Sequence, residues 1–198
     1  LIPRPRRREA MERVNTSGDI EIPLDEDAVR DAIIALRDAG VEGLVVLFMH
    51  SHRNGAHENR VRELVAESGW APFVSLSHEV HPEPKEYERT STTVIDAYVK
   101  GVAEGYLDQL SDGLKQRGYA NRLFVMLSNG GTATADTAKR VPVQIVESGP
   151  AAGVLMGGIV GKSEGRDHVI TFDMGGTTAK LGAVDNGAPA IMPTFETD

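Results

Sequence analysis

The seven-residue run Phe172–Thr178, with the sequence Phe-Asp-Met-Gly-Gly-Thr-Thr, leaves few choices of local fold, because the apolar segments on both sides of it have the pattern of strands. Paired glycines adopt positive φ angles and let the backbone approach an anion closely, so successive N–H groups can cradle a phosphate. The run therefore predicts a strand, a hairpin loop and a strand, with Asp173 at the strand end holding Mg²⁺ directly or through water. The predicted phosphate-binding residues are Gly175, Gly176, Thr177 and Thr178. A hairpin turn without a ligand is the alternative.

Two more glycine-containing loops follow predicted strands. In Ser148-Gly149-Pro150, Ser148 can cap a helix and Pro150 can occupy its first turn, and such a helix start suits a phosphate or an oxyanion. The residues of Ser128-Asn129-Gly130-Gly131 tolerate left-handed conformations, which explains a tight turn as well as a ligand site. The further candidates for cofactor binding are Ser128, Asn129, Gly130, Gly131, Ser148 and Gly149.

Helical and strand-like patterns alternate in the first half of the chain. Asp25 can cap a helix that ends near Gly40, and Leu44–Met49 follows as an apolar run typical of a strand buried on both faces. A helix over about residues 57–67 and a strand at Phe73–Leu76 repeat this order. The alternation predicts an α/β fold with a mixed sheet and flanking helices.

The same patterns predict the remaining elements, with the longest helix over about residues 84–117. Its predicted apolar stripe consists of Val94, Ala97, Tyr98, Val102, Tyr106, Leu107 and Leu110. The other predicted elements are a hairpin within 11–22, strands at 123–127, 143–146, 169–172 and 180–184, and a helix over about 151–160. An internal boundary is expected near residues 118–122.

Acids, a guanidinium and hydroxyls crowd the start of the longest predicted helix, at Glu86–Thr93. Arg89 could clamp a carboxylate bidentately, while Glu88 and His78 could exchange protons. These three residues are candidate catalytic residues together with Asp173. A capped helix start with surface ion pairs is the alternative.

Composition excludes several classes of function. Lys and Arg total 21 against 29 Asp and Glu, giving a net charge of −8 without a basic stripe, so nucleic acid is not an expected partner. The chain contains no cysteine, which excludes thiolate chemistry. Its apolar runs are too short for a membrane span, and we expect a cytoplasmic protein. Three histidines are candidate metal ligands by residue type, but His50, His52 and His57 lack the spacing of a standard zinc site.

Taken together, the motifs resemble the hydantoinase A/5-oxoprolinase family, to which acetone and acetophenone carboxylase subunits are related. The matching stretches are 23–26, His50-Ser51, His57-Glu58, 77–80, Glu86–Thr93, 128–131, 148–153 and 172–178. The resemblance implies an actin-like ATPase fold of the sugar kinase and Hsp70 type, in which two lobes close on ATP and Mg²⁺ or Mn²⁺. Residues 1–120 would end the N-terminal lobe and residues 121–198 would begin the core lobe with its phosphate-binding hairpin.

The activity that the resemblance implies is ATP-dependent hydrolysis of a cyclic amide, such as hydantoin, N-methylhydantoin or 5-oxoproline, through phosphorylation of the carbonyl oxygen. The expected partners are a small-molecule substrate and a hydantoinase B-type subunit or domain. A ketone carboxylase subunit is the alternative within the family, and a non-catalytic scaffold is the alternative from another class. Because the first lobe's own phosphate hairpin is absent, we expect the chain to be an inactive internal piece that holds half a nucleotide site.

Two stretches depart from the family pattern. Many hydantoinase-like members carry Ser-Thr-Asp after the glycines and threonine, where this chain has Thr178-Ala179-Lys180. Loss of that acid leaves a second metal-binding position without its carboxylate, and the lysine form resembles the carboxylase-type subunits. His52 and Gly55 stand where the family more often has an aromatic residue and a proline, which weakens a functional role for that loop.

Overall fold

The computed structural model describes residues 2–176 and 178–190, and they fold into two compact units. The first unit comprises the residues up to Tyr119 together with Lys139–Val143. The second unit comprises Ala120–Ala138 and the residues from Gln144 onward. In the described ranges, no helix combines the length and the apolar character that a bilayer crossing requires.

The first unit alternates helices and short strands, as the sequence predicts. Its elements are β1 (Arg13–Val14), β2 (Ile20–Ile22), α1 (Glu26–Asp38), β3 (Gly43–Val46), α2 (Ala56–Glu67), β4 (Phe73–Leu76), α3 (Ser77–Val80) and α4 (Glu86–Gln116). Strands β1 and β2 form an antiparallel hairpin, and β3 and β4 pair in parallel from Gly43 opposite Phe73 to Val46 opposite Leu76. The loop after β3 and helix α3 after β4 therefore leave the same edge of this small sheet.

Local signals fix α1 as predicted. The Asp25 side chain accepts a hydrogen bond from the N–H of Ala28, and Gly40 follows the helix with a φ of 68°. The apolar face of α1 packs with α2, β3 and β4. The buried residues of this core are Val29, Ile33, Val46, Val61, Leu64, Val65 and Leu76.

Helix α4 buries Leu107 of the predicted apolar stripe, but most of its buried face is polar and was not predicted. Tyr98 and Val102, from the predicted apolar stripe, are 87% and 79% exposed. The buried residues of α4 are Arg89, Thr93, Asp96, Lys100 and Leu107. Polar side chains can be buried when hydrogen bonds satisfy them, and hydrophobic periodicity cannot detect such a face.

The segment Lys139–Val143 joins the first unit through this polar face. Asp96 is fully buried and accepts hydrogen bonds from Ser75 Oγ at 2.6 Å and from the Val143 N–H at 3.1 Å. Lys100 lies 3.6 Å from Asp96 and donates to the Arg140 carbonyl at 2.6 Å. A buried ion pair thus holds a stretch of chain that, along the sequence, separates Ala120–Ala138 from the residues that begin at Gln144.

In its described residues, the second unit contains two antiparallel sheets and one long helix. Its elements are β5 (Phe124–Met126), β6 (Thr132–Thr134), α5 (Ala135–Arg140), α6 (Ser148–Ser163), β7 (Val169–Met174), β8 (Ala179–Asp185) and β9 (Ala188–Pro189). Strand β5 pairs with β6, and the second sheet has the order β7-β8-β9. The end of α5 and the start of the following turn belong to the first unit.

The strand predicted at residues 143–146 is wrong. A 3₁₀ helix at Pro142–Ile145 occupies this place. Its polar backbone groups find partners outside any ladder, because the Val143 N–H donates to Asp96 and the Gln144 carbonyl accepts from Ser128 N–H at 2.7 Å. Distant hydrogen bonds therefore override a local pattern that is typical of a strand.

Helix α6 lies closely against the β7–β9 sheet because glycines face it. A Cβ added at Gly161 would collide with the Val169 side chain and would come within 3.0 Å of the Arg166 carbonyl oxygen. A Cβ at Gly182 of β8 would likewise collide with Val154 of α6. The close packing requires these residues to have no side chain.

Replacing Gly161 with alanine is therefore expected to lower the free energy of unfolding by about 1–3 kcal/mol, as overpacking of a filled interface does. Gly153→Ala, in the same helix, is the matched control, because a Cβ there meets nothing within 4 Å. We expect the control to raise stability by up to about 1 kcal/mol through helix propensity. Denaturant unfolding of the two variants measures the difference, and equal stabilities would contradict the close packing.

Candidate functional site

The predicted phosphate loop closes the β7–β8 hairpin. The register pairs Asp173 with Lys180 and Met174 with Ala179, and the Gly175 N–H donates to the Thr178 carbonyl at 2.9 Å. The predicted order of strand, hairpin loop and strand is therefore present. Thr177, one of the predicted phosphate-binding residues, lies outside the described residues.

Alternation along the strands places Asp173 and Lys180 on the face that α6 covers. Thr171 and Gly182 face α6, since a Cβ at Gly157 would collide with Thr171 and one at Gly182 with Val154. Successive side chains of a strand point to opposite faces, so Asp173 and Lys180 lie on the same side as Thr171 and Gly182. The opposite face presents exposed apolar side chains from Ile170, Phe172, Met174 and Leu181.

A cleft of about 280 Å³ opens between the start of α6 and this end of the hairpin. Its lining includes Pro150, Gly153, Val154, Thr171, Asp173 and Lys180. The side chain of Asp173 is exposed and has no hydrogen bond or ion pair within the part of the chain that the structure describes. Residues 2–176 and 178–190 contain no group of three or more acids or histidines that could hold a metal. A single carboxylate still suits Mg²⁺, which commonly binds one or two carboxylates together with substrate phosphates and waters.

The start of α6 differs from the prediction in its cap. Ser148 is the first helical residue, and Glu147 holds the cap position with a left-handed φ of 64° and no capping side-chain hydrogen bond. The prediction that Ser148 caps the helix is therefore wrong, because the turn that enters α6 ends one residue earlier. Pro150 lies in the first turn as predicted. The Glu147 carboxylate forms an ion pair with the ammonium of Lys180, which lines the cleft.

The loop Ser128–Gly131 is a tight turn with its own hydrogen bonds. Asn129 Oδ1 accepts from the Gly131 N–H at 2.9 Å, and Gly130 has a φ of 84°. Ser128 donates through its N–H and its Oγ to the Gln144 carbonyl, at 2.7 and 2.9 Å. The loop is thus tied to the segment that leads into α6, while its binding of a cofactor stays a prediction.

In the first unit, Glu58 is the centre of a buried polar network. Its carboxylate is fully buried and accepts from the Phe48 N–H at 3.0 Å, Ser77 Oγ at 2.6 Å, the His78 N–H at 3.1 Å and His78 Nδ1 at 2.7 Å. Burial acts to raise the pKa of Glu58, but the hydrogen bonds from His78 and Ser77 outweigh it and hold that pKa below its ordinary value. Glu58 therefore joins the loop after β3 to helix α3 as a carboxylate.

Arg89 reaches the same loop from α4. Its guanidinium is fully buried and donates to the carbonyls of Phe48 and Glu83, both at 2.9 Å, and to His52 Nδ1 at 3.0 Å, while Nε has no partner among the described residues. Burial and the positive charge of Arg89 lower the pKa of His52. Two of the three guanidinium nitrogens, Nη1 and Nη2, are thus bonded to this chain.

The structure brings some of the predicted catalytic residues together and separates others. His78 and Arg89 both contact the segment at 48–58, through Glu58 and Phe48 respectively. Glu88 instead lies at the surface 3.5 Å from Lys85, and no hydrogen bond or ion pair joins it to His78 in the described ranges. The proposed proton exchange between Glu88 and His78 stays a prediction without a contact.

The three loop histidines have three different partners. His50 Nδ1 donates to the Val14 carbonyl, and His57 Nδ1 donates to the buried Glu12 carboxylate, both at 2.8 Å, while His52 accepts from Arg89. Sequence reasoning missed Glu58 as the hub of this region. The signal was its helical spacing with Val61 and Val65, which places a carboxylate on the inward face of α2.

Comparisons with known proteins agree with this architecture. The Hydantoinase/oxoprolinase family profile matches residues 89–198, and the profile of its N-terminal region matches residues 1–69. An uncharacterized protein of Methanocaldococcus jannaschii is 39% identical over 99% of this chain and 29% of its own length. The caprolactamase subunit alpha of Pseudomonas jessenii is 36% identical over 90% of this chain and 26% of its own length.

A solved structure of nucleotide-free acetone carboxylase, from work on ATP-dependent acetone carboxylation, matches with a TM-score of 0.85 and 33% identity. The match covers 94% of this chain and 27% of that one, which confirms the predicted α/β fold class. The chain thus spans between 26% and 29% of the length of these relatives. Matches to both family profiles, in the order and at the positions of the predicted motifs, show that the chain belongs to the hydantoinase/oxoprolinase family.

Proposed function

We propose that this chain supplies the phosphate-binding hairpin of an ATP-dependent enzyme that opens a cyclic amide. The observation that carries the proposal is the position of Asp173 opposite Lys180 at the closed end of β7–β8, beside the cleft at the start of α6. An exposed carboxylate next to a glycine loop suits Mg²⁺ or Mn²⁺ together with a phosphate. The similarity to a caprolactamase that is described as ATP-dependent supports this reaction class.

In the proposed reaction, the carbonyl oxygen of a hydantoin, N-methylhydantoin or 5-oxoproline ring takes the γ-phosphoryl group of ATP, and ADP leaves. Water then adds to the carbonyl carbon and the ring C–N bond breaks, which releases the amine and leaves an acyl phosphate. A second water hydrolyses this acyl phosphate to the carboxylate and free phosphate. A metal ion bound at Asp173 would supply charge neutralisation on the phosphates. Gly175, Gly176, Thr177 and Thr178 would hold the phosphate by N–H and hydroxyl groups, since phosphoryl transfer depends mainly on positioning and electrostatics.

The other predicted residues have supporting places in this proposal. Ser128–Gly131 and the first residues of α6, Ser148 and Gly149, would complete the nucleotide side. His78, Glu88 and Arg89 are the candidates for handling the substrate. Because the caprolactamase relative is named as one subunit of its enzyme, we propose a hydantoinase B-type subunit or domain as the partner.

A ketone carboxylase subunit is the second candidate. Lys180 favours it, since this lysine replaces the acid of many hydantoinase-like members and resembles the carboxylase-type sequence. The match to acetone carboxylase, with a TM-score of 0.85, agrees with this alternative. In that reaction the phosphorylated group would be a ketone enolate, and bicarbonate would supply the carboxyl group.

The test is Mg²⁺-dependent ATP hydrolysis by the full-length protein with its partner, in the presence of a lactam or hydantoin and, separately, of a ketone with bicarbonate. Asp173→Asn is expected to lower substrate-dependent turnover by about 10²–10³-fold, as loss of one electrostatic contact in a phosphate site does. Hydrolysis with the cyclic amide supports the hydrolase, and hydrolysis with the ketone supports the carboxylase.

Asp185→Asn is the matched control. Asp185 ends the same strand as Lys180, is exposed and pairs with the exposed His168 at 2.7 Å. The substitution removes one negative charge from the same hairpin, as Asp173→Asn does, but at a position away from the glycine loop. The turnover of the Asp185→Asn variant should therefore equal that of the parent. If no substrate elicits turnover and Asp173→Asn binds ATP as the parent does, the chain is a non-catalytic scaffold.

A further inference from the structure

The ion pair between Lys180 and Glu147 is the only contact between charged side chains that the structure describes at the cleft beside the glycine loop. About a third of each side chain is exposed, 34% for Lys180 and 35% for Glu147. Lys180, which lines the cleft, is therefore accessible to a ligand there.

Glu147 reaches Lys180 because of an uncommon backbone conformation. Its φ of 64° is one of the positive values among non-glycine residues, which in the described ranges are His50, Glu147 and Asn186. Left-handed backbone at a non-glycine residue persists where its surroundings require it. Here it turns the chain from the 3₁₀ helix into α6 and directs a carboxylate to Lys180.

Among the described residues that line the cleft, Lys180 is the one with a positive charge that an anion could contact. Asp173 and Lys180 are cross-strand partners on the same face of the hairpin, and Glu147 neutralises Lys180 from the start of α6. An ammonium has three N–H donors, so Lys180 can keep Glu147 and still donate to a second acceptor in the cleft. Asp173 cannot serve an anion directly, because a carboxylate repels it unless a metal lies between them.

We propose that Lys180 is an anion-binding residue of this site, which contacts a nucleotide phosphate directly and is held in position by Glu147. Asp173 contacts the same phosphates through the metal ion. In a bound metal–nucleotide complex, Lys180 would thus contact the phosphate by charge and hydrogen bonding, and Asp173 would coordinate the metal. This inference rests on the proposed function, since it assumes that a nucleotide occupies the cleft.

These two kinds of contact predict different metal dependence for the two residues. Lys180 should contribute to nucleotide binding both with and without the metal, whereas Asp173 should contribute only when the metal is present. Glu147 repels a phosphate in the absence of metal, so Glu147→Gln should strengthen metal-free binding. These three signatures separate a direct phosphate contact from a purely structural role.

The experiment is calorimetric titration of the full-length protein and its partner with ATP, once with Mg²⁺ and once with a chelator. Lys180→Met is expected to raise the Kd for ATP about tenfold in both titrations, the loss expected for a hydrogen bond to a charged group, while Lys180→Arg should restore most of the affinity. Asp173→Asn should raise the Kd only with Mg²⁺. Lys162→Met, near the end of α6, changes the net charge equally and should bind as the parent does.

If Lys180→Met binds ATP as the parent does in both titrations while Asp173→Asn loses the Mg²⁺-dependent part, the inference is wrong and the proposed function stands. A parent that binds no ATP overturns both. Should Lys180→Met fail to fold, Glu147→Gln decides: several-fold tighter metal-free binding supports a phosphate at this pair, and unchanged binding contradicts it.

Discussion

Arg89→Met is expected to lower the free energy of unfolding by about 4 kcal/mol. The substitution keeps much of the side-chain volume but leaves three acceptors of partly buried hydrogen bonds, the carbonyls of Phe48 and Glu83 and the Nδ1 of His52, without their donor. An acceptor that loses its partner in the interior costs about 1–3 kcal/mol, and each of these partly buried acceptors should cost an amount near the low end of that range. Denaturant unfolding followed by circular dichroism measures the change.

Arg62→Met is the control for this prediction. Arg62 lies in the same unit and pairs with Glu79, but its side chain is 42% exposed, and an exposed ion pair contributes about 0–1 kcal/mol. The Arg89 result also bears on its predicted role in clamping a substrate carboxylate. A variant with the stability of the parent and no turnover would contradict the structural role and favour the catalytic one.

Glu58→Ala is expected to have a similarly large effect, about 3–5 kcal/mol. The carboxylate accepts four hydrogen bonds from the loop after β3 and from helix α3, and alanine leaves all four donors unsatisfied. Glu58→Gln should lower the free energy of unfolding almost as much. Each carboxylate oxygen of Glu58 accepts from two donors, whereas the amide group of glutamine presents a donor on one side. Glu63→Gln, on the same helix with a side chain 61% exposed, should change stability by less than about 1 kcal/mol.

The acid dependence of unfolding checks the same carboxylate independently. The pKa of Glu58 is lower in the folded protein than its ordinary value of 4.5, so its contribution to stability is complete above pH 4.5 and is lost as the pH falls through the folded pKa. The parent should therefore lose stability below about pH 4.5 more steeply than Glu58→Gln. Parallel curves for the two proteins would show that Glu58 does not titrate in this way.

Elements with local signals could be predicted from the sequence. Helix α1 has its cap at Asp25 and its apolar face on the residues that are buried, and strand β4 has the predicted bounds Phe73–Leu76. The hairpin around the glycine loop also follows from its neighbours, because two apolar strands joined by glycines can pair without help from the rest of the chain. The opposition of Asp173 and Lys180 is a direct consequence of that pairing.

Features that depend on distant residues could not be predicted. Arg89 finds its acceptor 41 residues away at Phe48, and Asp96 finds the Val143 N–H 47 residues away, so nothing near α4 in the sequence reveals that its polar face is the buried one. The same bond to Val143 removes the strand expected there. The pairing of Glu147 with Lys180 depends on where α6 lies against β8, and its local sequence gives no signal for it.

The polar interior of the first unit also determines when this unit can finish folding during its synthesis. Asp96 and Lys100 leave the ribosome long before the Val143 N–H and the Arg140 carbonyl that they bind, and strands β5 and β6 are made in between. When Tyr119 has just been synthesised, the Asp96 carboxylate and the Lys100 ammonium still lack these two hydrogen bonds. The first unit therefore cannot complete its folding at that stage. The shortest form of this unit with a satisfied interior extends to Val143 and carries the start of the second unit as an insertion.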